Sequence, residues 1–156
     1  MSTKRKAIRV YADTSVFGGV FDESFSEHSK RFFSLIDRGY YRLVTSSIVR
    51  DEIVLAPDRV REIFRKYEPD AEVAYPTDEV LRLRDEYFKA RIIEPRWAAD
   101  ALHVAIAAVN ECNAIVSWNF KHIANYRKIP LYNAVNVVCG YHELAIYTPI
   151  EVFEDD

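Results

Sequence analysis

The sequence predicts an α/β protein whose central sheet is mainly parallel and carries helices on both faces. Short apolar segments rich in β-favouring residues alternate along the chain with longer segments in which apolar residues recur at helical spacing. The segment Ala114-Ile115-Val116-Ser117-Trp118 is predominantly apolar, which is typical of a strand buried on both faces. Parallel strands need crossover connections, and these connections place helices over the sheet.

The first half of the chain supplies three predicted strands and three predicted helices. The strands are 7–12, 41–45 and 72–75, and the helices are 29–37, a segment that follows Ser46 or Ser47, and 58–67. Gly39 predicts the end of the helix 29–37, because glycine is common just after a helix. Ser46 or Ser47 can cap the next helix, and Pro57 ends it.

The second half supplies two further helices and two further strands. They are a helix from a Thr77 cap to about 88, an alanine-rich helix over about 97–112, the strand 114–118 and an extended segment near 144–148. The chain has 156 residues, with no internal repeat, low-complexity tract or linker. Since domains commonly contain about 100–200 residues, we expect a single domain over 1–156.

The composition excludes several classes of protein. Apolar residues make up 49% and charged residues 29%, as in globular proteins. The net charge of −3 does not indicate nucleic-acid binding. The longest apolar run, Val104 to Val109, is far short of the roughly 20 residues of a membrane helix. No hydrophobic signal core follows the basic N-terminus, so we expect a cytoplasmic protein. Cys112 and Cys139 predict neither a zinc cluster nor a disulfide scaffold, and we expect both to be reduced core thiols.

Four polar residues occupy positions where α/β proteins place their chemistry. Asp13 follows the first strand and Asn119 follows the apolar strand, so both belong to the carboxyl edge where open α/β sheets bind ligands. Asp100 lies in the first turn of the alanine-rich helix, where the helix dipole favours a carboxylate. Glu52 lies on or beside the buried face of its helix, a costly position without a cation or partner. We expect Asp13, Glu52 and Asp100 to converge in one cleft.

This set of oxygen ligands suits Mg²⁺ or Mn²⁺, which are hard ions that prefer carboxylate, amide and water oxygens. Such an ion activates a water for attack on a phosphodiester without a covalent protein nucleophile. Each residue also has a plainer interpretation. Asp13 and Asn119 can organise turns, Asp100 can favour its helix start, and Glu52 can pair with a neighbouring cation on the surface.

Other residues are candidates for substrate contact or for packing. His103 shares a helix face with Asp100, but a single histidine beside an apolar face favours a packing role. Lys121 and His122 are candidates for phosphate contact. The helix 58–67 has a basic face that is either a solvated surface or an RNA-backbone contact, formed by Arg59, Arg61, Arg65 and Lys66. Phosphate-loop and serine-hydrolase motifs do not occur in the sequence.

The motifs together resemble a known family. They are Asp13-Thr14-Ser15 after the first strand, Glu52 on the second helix, Ala98-Ala99-Asp100-Ala101-Leu102-His103-Val104-Ala105, and Val116-Ser117-Trp118-Asn119-Phe120-Lys121-His122-Ile123. In this order and placement the chain resembles PIN-domain proteins of the VapC toxin type, over roughly the whole domain. The resemblance implies a three-layer α/β/α sandwich with a central, mainly parallel sheet.

The resemblance also implies a function. It implies a ribonuclease that hydrolyses RNA phosphodiester bonds with Mg²⁺ or Mn²⁺, an antitoxin partner in a type II toxin–antitoxin pair, and a homodimer. The matching metal-site and catalytic positions are Asp13, Glu52, Asp100 and Asn119, and the supporting ones are Thr14, Ser15 and Ser117. The fourth metal position is usually Asp in the family, and an amide supplies no negative charge, so we expect weak metal binding until substrate phosphate adds charge.

The asparagine at position 119 leaves alternatives open. One is a catalytically weak or inactive PIN-like module that binds RNA or a protein partner. Another is a subunit used purely for assembly, since aromatic residues, 13% of this chain, are favoured at interfaces.

Overall fold

The structure, a computed structural model, describes residues 7–152 as five strands and seven α-helices. The strands are β1 (Ile8–Ala12), β2 (Tyr41–Ser46), β3 (Glu72–Ala74), β4 (Ala114–Val116) and β5 (Ala145–Tyr147). The helices are α1 (Thr14–Gly19), α2 (Ser26–Asp37), α3 (Ser47–Val54), α4 (Asp58–Tyr67), α5 (Asp78–Lys89), α6 (Ala98–Val109) and α7 (Ile129–Val138). Two short 3₁₀ helices, Glu68–Asp70 and Pro95–Trp97, precede β3 and α6.

The five strands form one parallel sheet in the order β3-β2-β1-β4-β5. The chain builds outward from β1 to β3 and then returns to place β4 on the other side of β1. In open α/β sheets, ligands bind beyond the carboxyl ends of the strands at the point where the strand order reverses. Here that point lies between β1 and β4, after Ala12 and Val116, which are paired in register.

Both faces of the central strands are covered. Val10 and Tyr11 point to opposite faces of β1 and are 2% and 0% exposed, respectively, and all three residues of β4 are buried. The buried apolar side chains of the described residues form one core cluster. The predicted α/β/α sandwich with a parallel central sheet is therefore confirmed. The single-domain boundary at 1–156 stays a prediction, and the basic N-terminal residues up to Lys6 lie outside the described residues.

Several predicted helix ends follow from the chemistry of single residues. The Ser46 hydroxyl caps α3 by accepting a hydrogen bond from the backbone N–H of Val49 at 3.2 Å. The Thr77 hydroxyl caps α5 in the same way, through the N–H of Val80. Gly39, just beyond α2, has a φ of 81°, which glycine adopts without steric cost.

The sequence interpretation missed two helices and misplaced the ends of others, since α2 begins at Ser26 and not at residue 29. It predicted no helix directly after the first strand, whereas Gly18 and Gly19 both lie in α1, whose N-cap is Asp13. It gave no helix to α7, which begins with proline near its first turn and leaves three of its apolar side chains at least half exposed. The helix predicted to reach Cys112 stops at Val109, and Glu111 beyond it has a φ of 56°.

The two cysteines are free thiols in different environments. Cys112 is buried, as predicted, and burial raises its pKa to about 11. Cys139, just after α7, is exposed, so its prediction as a core residue is wrong. Across residues 7–152, every helix is too short or too polar to span a bilayer.

Candidate active site

Asp13 occupies the carboxyl end of β1 at the point where the strand order reverses. Its carboxylate accepts three hydrogen bonds, from the backbone N–H and the hydroxyl of Ser15 at 3.1 and 2.5 Å and from the hydroxyl of Ser117 at 2.6 Å. The two hydroxyls are held in turn by backbone N–H donors, Trp118 to Ser15 and Asn119 to Ser117, each at 2.9 Å. The loop after β4 therefore fixes the orientation of the Asp13 carboxylate.

The Asp13 carboxylate is costly to ionise where it lies. The residue is only 4% exposed, and burial raises the pKa of its carboxyl above the usual range. The positive charge of His103 and the two serine hydroxyls oppose that rise, whereas the negative charge of Glu52 adds to it. A buried carboxylate close to another carboxylate is an arrangement that a cation would stabilise.

Glu52 belongs to a hydrogen-bonded chain that runs into the sheet. Its Oε1 atom lies 2.6 Å from Nε2 of His103, and Nδ1 of His103 lies 2.7 Å from the hydroxyl of Tyr11. The Tyr11 hydroxyl lies 2.7 Å from that of Ser46, the cap of α3. When His103 is protonated, both its ring nitrogens donate hydrogen bonds, and the Tyr11 hydroxyl donates its own to the Ser46 oxygen. The chain orients Glu52 from the buried side.

His103 and Glu52 shift each other's ionisation. Burial lowers the pKa of His103, but the hydrogen bond to Glu52 and the charges of Asp13, Glu52 and Asp100 outweigh it, so the net pKa is raised. Burial raises the pKa of Glu52, but the hydrogen bond and charge of His103 outweigh it, so the net pKa is lowered. Both directions favour an ion pair, with His103 as the cation.

His103 is therefore the residue on which the charges of all three acids act. It is buried, as its predicted packing role requires, but its partners make it part of the candidate site. Across residues 7–152, no three His, Cys, Asp or Glu side chains are grouped closely enough to hold an ion among them. The convergence of Asp13, Glu52 and Asp100 in one cleft and their roles as metal ligands stay predictions.

The residues present fit a hydrated divalent cation. Mg²⁺ usually keeps several waters and takes only one or two carboxylates directly, so Asp13 and Glu52 provide enough charged ligands. The hydroxyl of Thr14 is buried and lies close enough to Glu52 to lower the pKa of that carboxyl. Carboxylate and hydroxyl oxygens are the donors that a hard ion prefers.

Asn119 forms a turn after β4. Its side-chain oxygen accepts hydrogen bonds from the backbone N–H groups of Lys121 at 3.2 Å and His122 at 2.9 Å. An amide oxygen that accepts from the backbone two or three residues further on is the usual geometry of a turn-forming asparagine. Asn119 therefore organises a turn, which is the plainer of its two sequence interpretations. Its role as a metal ligand stays a prediction.

The structure separates the two residues predicted to contact phosphate. Lys121 is exposed, with its Nζ atom 5.1 Å from the centre of the Trp97 ring. His122 is only 7% exposed, and its ring packs on that of Trp97 with centroids 4.7 Å apart. Both ring nitrogens of His122 are buried, so phosphate would reach them only after the ring is uncovered, and contact of His122 with phosphate stays a prediction.

The basic face of α4 is mostly occupied by contacts within the protein. Arg59 lies over the ring of Phe21, and Lys66 over that of Tyr67, at 5.0 and 5.2 Å. Arg61 donates to the backbone carbonyl of Val54 and pairs with Asp58, which ties α4 to the end of α3. Arg65 is exposed. This pattern is typical of a solvated helix surface, and RNA contact by this face stays a prediction.

Sequence reasoning did not select Tyr11 or Trp97 as site residues. A signal existed for Tyr11, because it lies two residues before Asp13 in the chain and strand alternation places both on one face. A signal also existed for Trp97, which precedes Asp100 by about one helical turn. Neither pattern reveals the partner, since His103 and His122 come from distant segments.

The fold is similar to those of three solved structures. The chain matches VapBC2 from Rickettsia felis bound to a DNA fragment from its promoter, with 14% identity, a TM-score of 0.58 and coverage of 90% of this chain and 98% of that chain. It matches FitAB bound to an IR36 DNA fragment, with 15% identity, a TM-score of 0.59 and coverage of 94% and 99%. It matches FitAcB from Neisseria gonorrhoeae, with 14% identity, a TM-score of 0.56 and coverage of 92% and 99%.

The similarity lies in three-dimensional structure rather than in sequence. No family model and no curated protein sequence matches the chain. The three solved structures are covered almost completely, so the likeness extends over the whole sheet and its helices. The chain therefore has the fold that its sequence motifs resemble, that of the VapC-type PIN-domain proteins.

Proposed function

We propose that this protein is a divalent-metal-dependent ribonuclease that hydrolyses RNA phosphodiester bonds and serves as the toxin of a type II toxin–antitoxin pair. The observation that carries the proposal is the buried Asp13 carboxylate at the reversal of the strand order, close to the Glu52–His103 pair. The charge of Asp100 acts on the same histidine. Negative charge concentrated at the ligand-binding edge of an α/β sheet suits a cation and the phosphate that it binds.

The chain's own residues would divide the work. Asp13 and Glu52 would hold Mg²⁺ or Mn²⁺, which when bound polarises a phosphoryl oxygen and lowers the pKa of the attacking water. Ser15 and Ser117 orient Asp13, and His103 orients Glu52. Positioning of this kind matters because a small misplacement of a reacting group costs a large factor in rate.

Partners follow from the same proposal. VapBC2 and FitAB, which share this fold, were solved bound to DNA fragments. From the family that the sequence resembles, we propose RNA as substrate, an antitoxin protein as regulator, a homodimer as the working form and the cytoplasm as the location.

Cleavage of RNA under controlled metal conditions tests the proposal. The purified protein should cleave a mixed-sequence RNA with Mg²⁺ or Mn²⁺, and cleavage should stop in EDTA. Asp13→Asn removes the charge but keeps the volume, so cleavage should be lost while the circular dichroism spectrum is unchanged. Asp51→Asn is the matched control, because Asp51 is exposed on the same helix as Glu52. RNA cleavage by this variant should persist. Full activity in EDTA would exclude metal dependence.

A second candidate function has a specific observation in its favour. The Asn119 oxygen is engaged in a turn, and residues 7–152 hold no preformed group of three ligands. Both facts favour a catalytically weak or inactive module that binds RNA or a protein partner. RNA binding without cleavage in either metal would favour this module over the ribonuclease.

A further inference from the structure

Trp97 lies at the centre of a cluster of cationic and aromatic side chains. The Arg96 guanidinium carbon and the Lys121 Nζ atom each lie 5.1 Å from the centre of its ring. The His122 ring packs on the indole with an interplanar angle of 32°. We call these four residues the Trp97 cluster. Arg96 also pairs with Glu94, but both side chains are more than two-thirds exposed, so that pair is weak.

His122 is held rigidly through its backbone while its side chain lacks polar partners. Its N–H donates to the Asn119 oxygen at 2.9 Å, and its carbonyl accepts from the hydroxyl of Tyr132 at 2.7 Å. Both ring nitrogens are buried without a hydrogen-bond partner among residues 7–152. Burying unpaired polar atoms is unfavourable for stability, so this ring is better explained as a flat support for Trp97 than as a stabilising core residue.

The Trp97 cluster lies at the same edge of the protein as the candidate metal site. Trp97 comes directly before α6, and Asp100 lies in the first turn of that helix. The charge of Asp100 acts on His122 in the cluster and on His103, which contacts Glu52. A ligand bound on Trp97 would therefore lie close to Asp100, whose charge also acts on His103 of the candidate site.

We propose that the Trp97 cluster is a nucleobase-stacking subsite for single-stranded RNA. A base would stack on the Trp97 indole by displacing the exposed Lys121 and Arg96 side chains that lie over the ring, and these two cations would then neutralise the adjoining phosphate. Stacking on an aromatic side chain flanked by cations is how many proteins hold single strands, and a base in a duplex is not free to stack in this way. The inference rests on the proposed ribonuclease function and adds a substrate class, unpaired RNA, to it.

Tryptophan fluorescence in EDTA tests the subsite without cleavage. The chain has two tryptophans, and Trp118 is 5% exposed and hydrogen-bonded to Ser29, so an RNA oligonucleotide should quench only Trp97. We expect an unstructured oligonucleotide to quench the wild type but not Trp97→Phe. Trp97→Phe should bind within about threefold of the wild type by fluorescence anisotropy, because phenylalanine still stacks, and Trp97→Ala should bind about tenfold more weakly.

The matched control is Tyr40→Ala. Tyr40 is a partly exposed aromatic residue with the Arg38 guanidinium 5.1 Å from its ring centre, but it precedes β2 at the opposite edge of the sheet. Its substitution should leave RNA affinity unchanged. Lys121→Gln, at an exposed position, should make binding less salt-dependent by about one unit of logarithmic slope, since one phosphate contact is lost.

The outcomes separate this inference from the proposed function. If RNA quenches the wild type and binds Trp97→Ala more weakly, but the wild type cleaves RNA with neither metal, the subsite is supported and the ribonuclease is not. Cleavage by a Trp97→Ala protein with wild-type RNA affinity overturns the subsite alone. Equal quenching of the wild type and Trp97→Phe, equal affinity for double-stranded RNA, or an unchanged salt slope in Lys121→Gln would also overturn it.

Discussion

At the scale of single residues, His103 is the positive charge that balances the acids around it. It pairs with Glu52, and the charges of Asp13 and Asp100 also act on it. Without another cation, a buried Asp13 and a nearby Glu52 would repel each other. The imidazole therefore stabilises the free protein in a role that a divalent ion would share when bound.

The pKa shifts of this pair predict a dependence of stability on pH. Because the pKa of His103 is raised, its contribution is complete below about pH 6.5, the value of an unfolded histidine, and is lost as the pH rises through the folded pKa. Because the pKa of Glu52 is lowered, its contribution is present above about pH 4.3 and is lost as the pH falls through the folded pKa.

His103→Gln tests this dependence. A glutamine can still hydrogen-bond but carries no charge, so the difference in melting temperature between wild type and variant should shrink as the pH rises from about 6 to about 9. Thermal unfolding followed by circular dichroism at several pH values measures it. A difference that stays constant over this range would show that His103 is not the cation of the pair.

Asn119 offers a second test at this scale. Asn119→Ala removes the acceptor of two backbone N–H groups and should lower the free energy of unfolding by about 1 kcal/mol. Asn119→Asp keeps an acceptor oxygen and should change stability by less. Urea unfolding of the three proteins measures both effects. An equal loss of unfolding free energy in the two variants would mean that the turn does not depend on this oxygen.

At the scale of elements, α1 depends on the absence of a side chain at Gly19. A β-carbon there would lie 2.5 Å from the Ser29 hydroxyl and 2.6 Å from the Trp118 ring nitrogen, two groups that hydrogen-bond each other. Gly18, in the same helix, has open space where its β-carbon would lie. Gly19 is therefore required by a close packing contact, whereas the helix has room for a side chain at Gly18.

Alanine at each glycine should have opposite effects. Gly19→Ala should destabilise the protein by about 1–3 kcal/mol, because overpacking outweighs the better helix propensity of alanine. Gly18→Ala should stabilise it by up to about 1 kcal/mol. Denaturant unfolding of both variants checks the pair. A neutral Gly19→Ala would show that Ser29 and Trp118 move aside easily.

The helices that the sequence failed to predict share a physical cause. Local periodicity identified α2, α4 and α5 because each has a clear apolar face and end signals in its own residues. By contrast, α1 contains two glycines, which have poor helix propensity, and its stability comes from Phe17 and Val16 in the core. In α7, Tyr132 and Asn136 are buried while several aliphatic residues are exposed, so its pattern does not mark a face.

At the scale of the whole molecule, the α/β class and the edge that carries Asp13 could be predicted because strand ends and helix starts are local features. The strand order could not, since it depends on which crossovers pack best. The Glu52–His103 contact joins residues 51 positions apart, and the Trp97–His122 contact joins two different loops. Such pairs arise only when the sheet brings their segments together, so the sequence could name the acids and the two histidines but not the residues that each histidine contacts.

The proposed site requires that Asp13 and Glu52 hold a divalent cation at the reversal of the strand order. Isothermal titration with Mn²⁺ tests it most directly, on the wild type, Asp13→Asn, Glu52→Gln and the exposed control Asp51→Asn. We predict weak binding to the wild type and to Asp51→Asn, tighter binding when RNA adds phosphate, and loss of binding in the two site variants. Mn²⁺ affinity that is the same in Asp13→Asn and Glu52→Gln as in the wild type would contradict the claim.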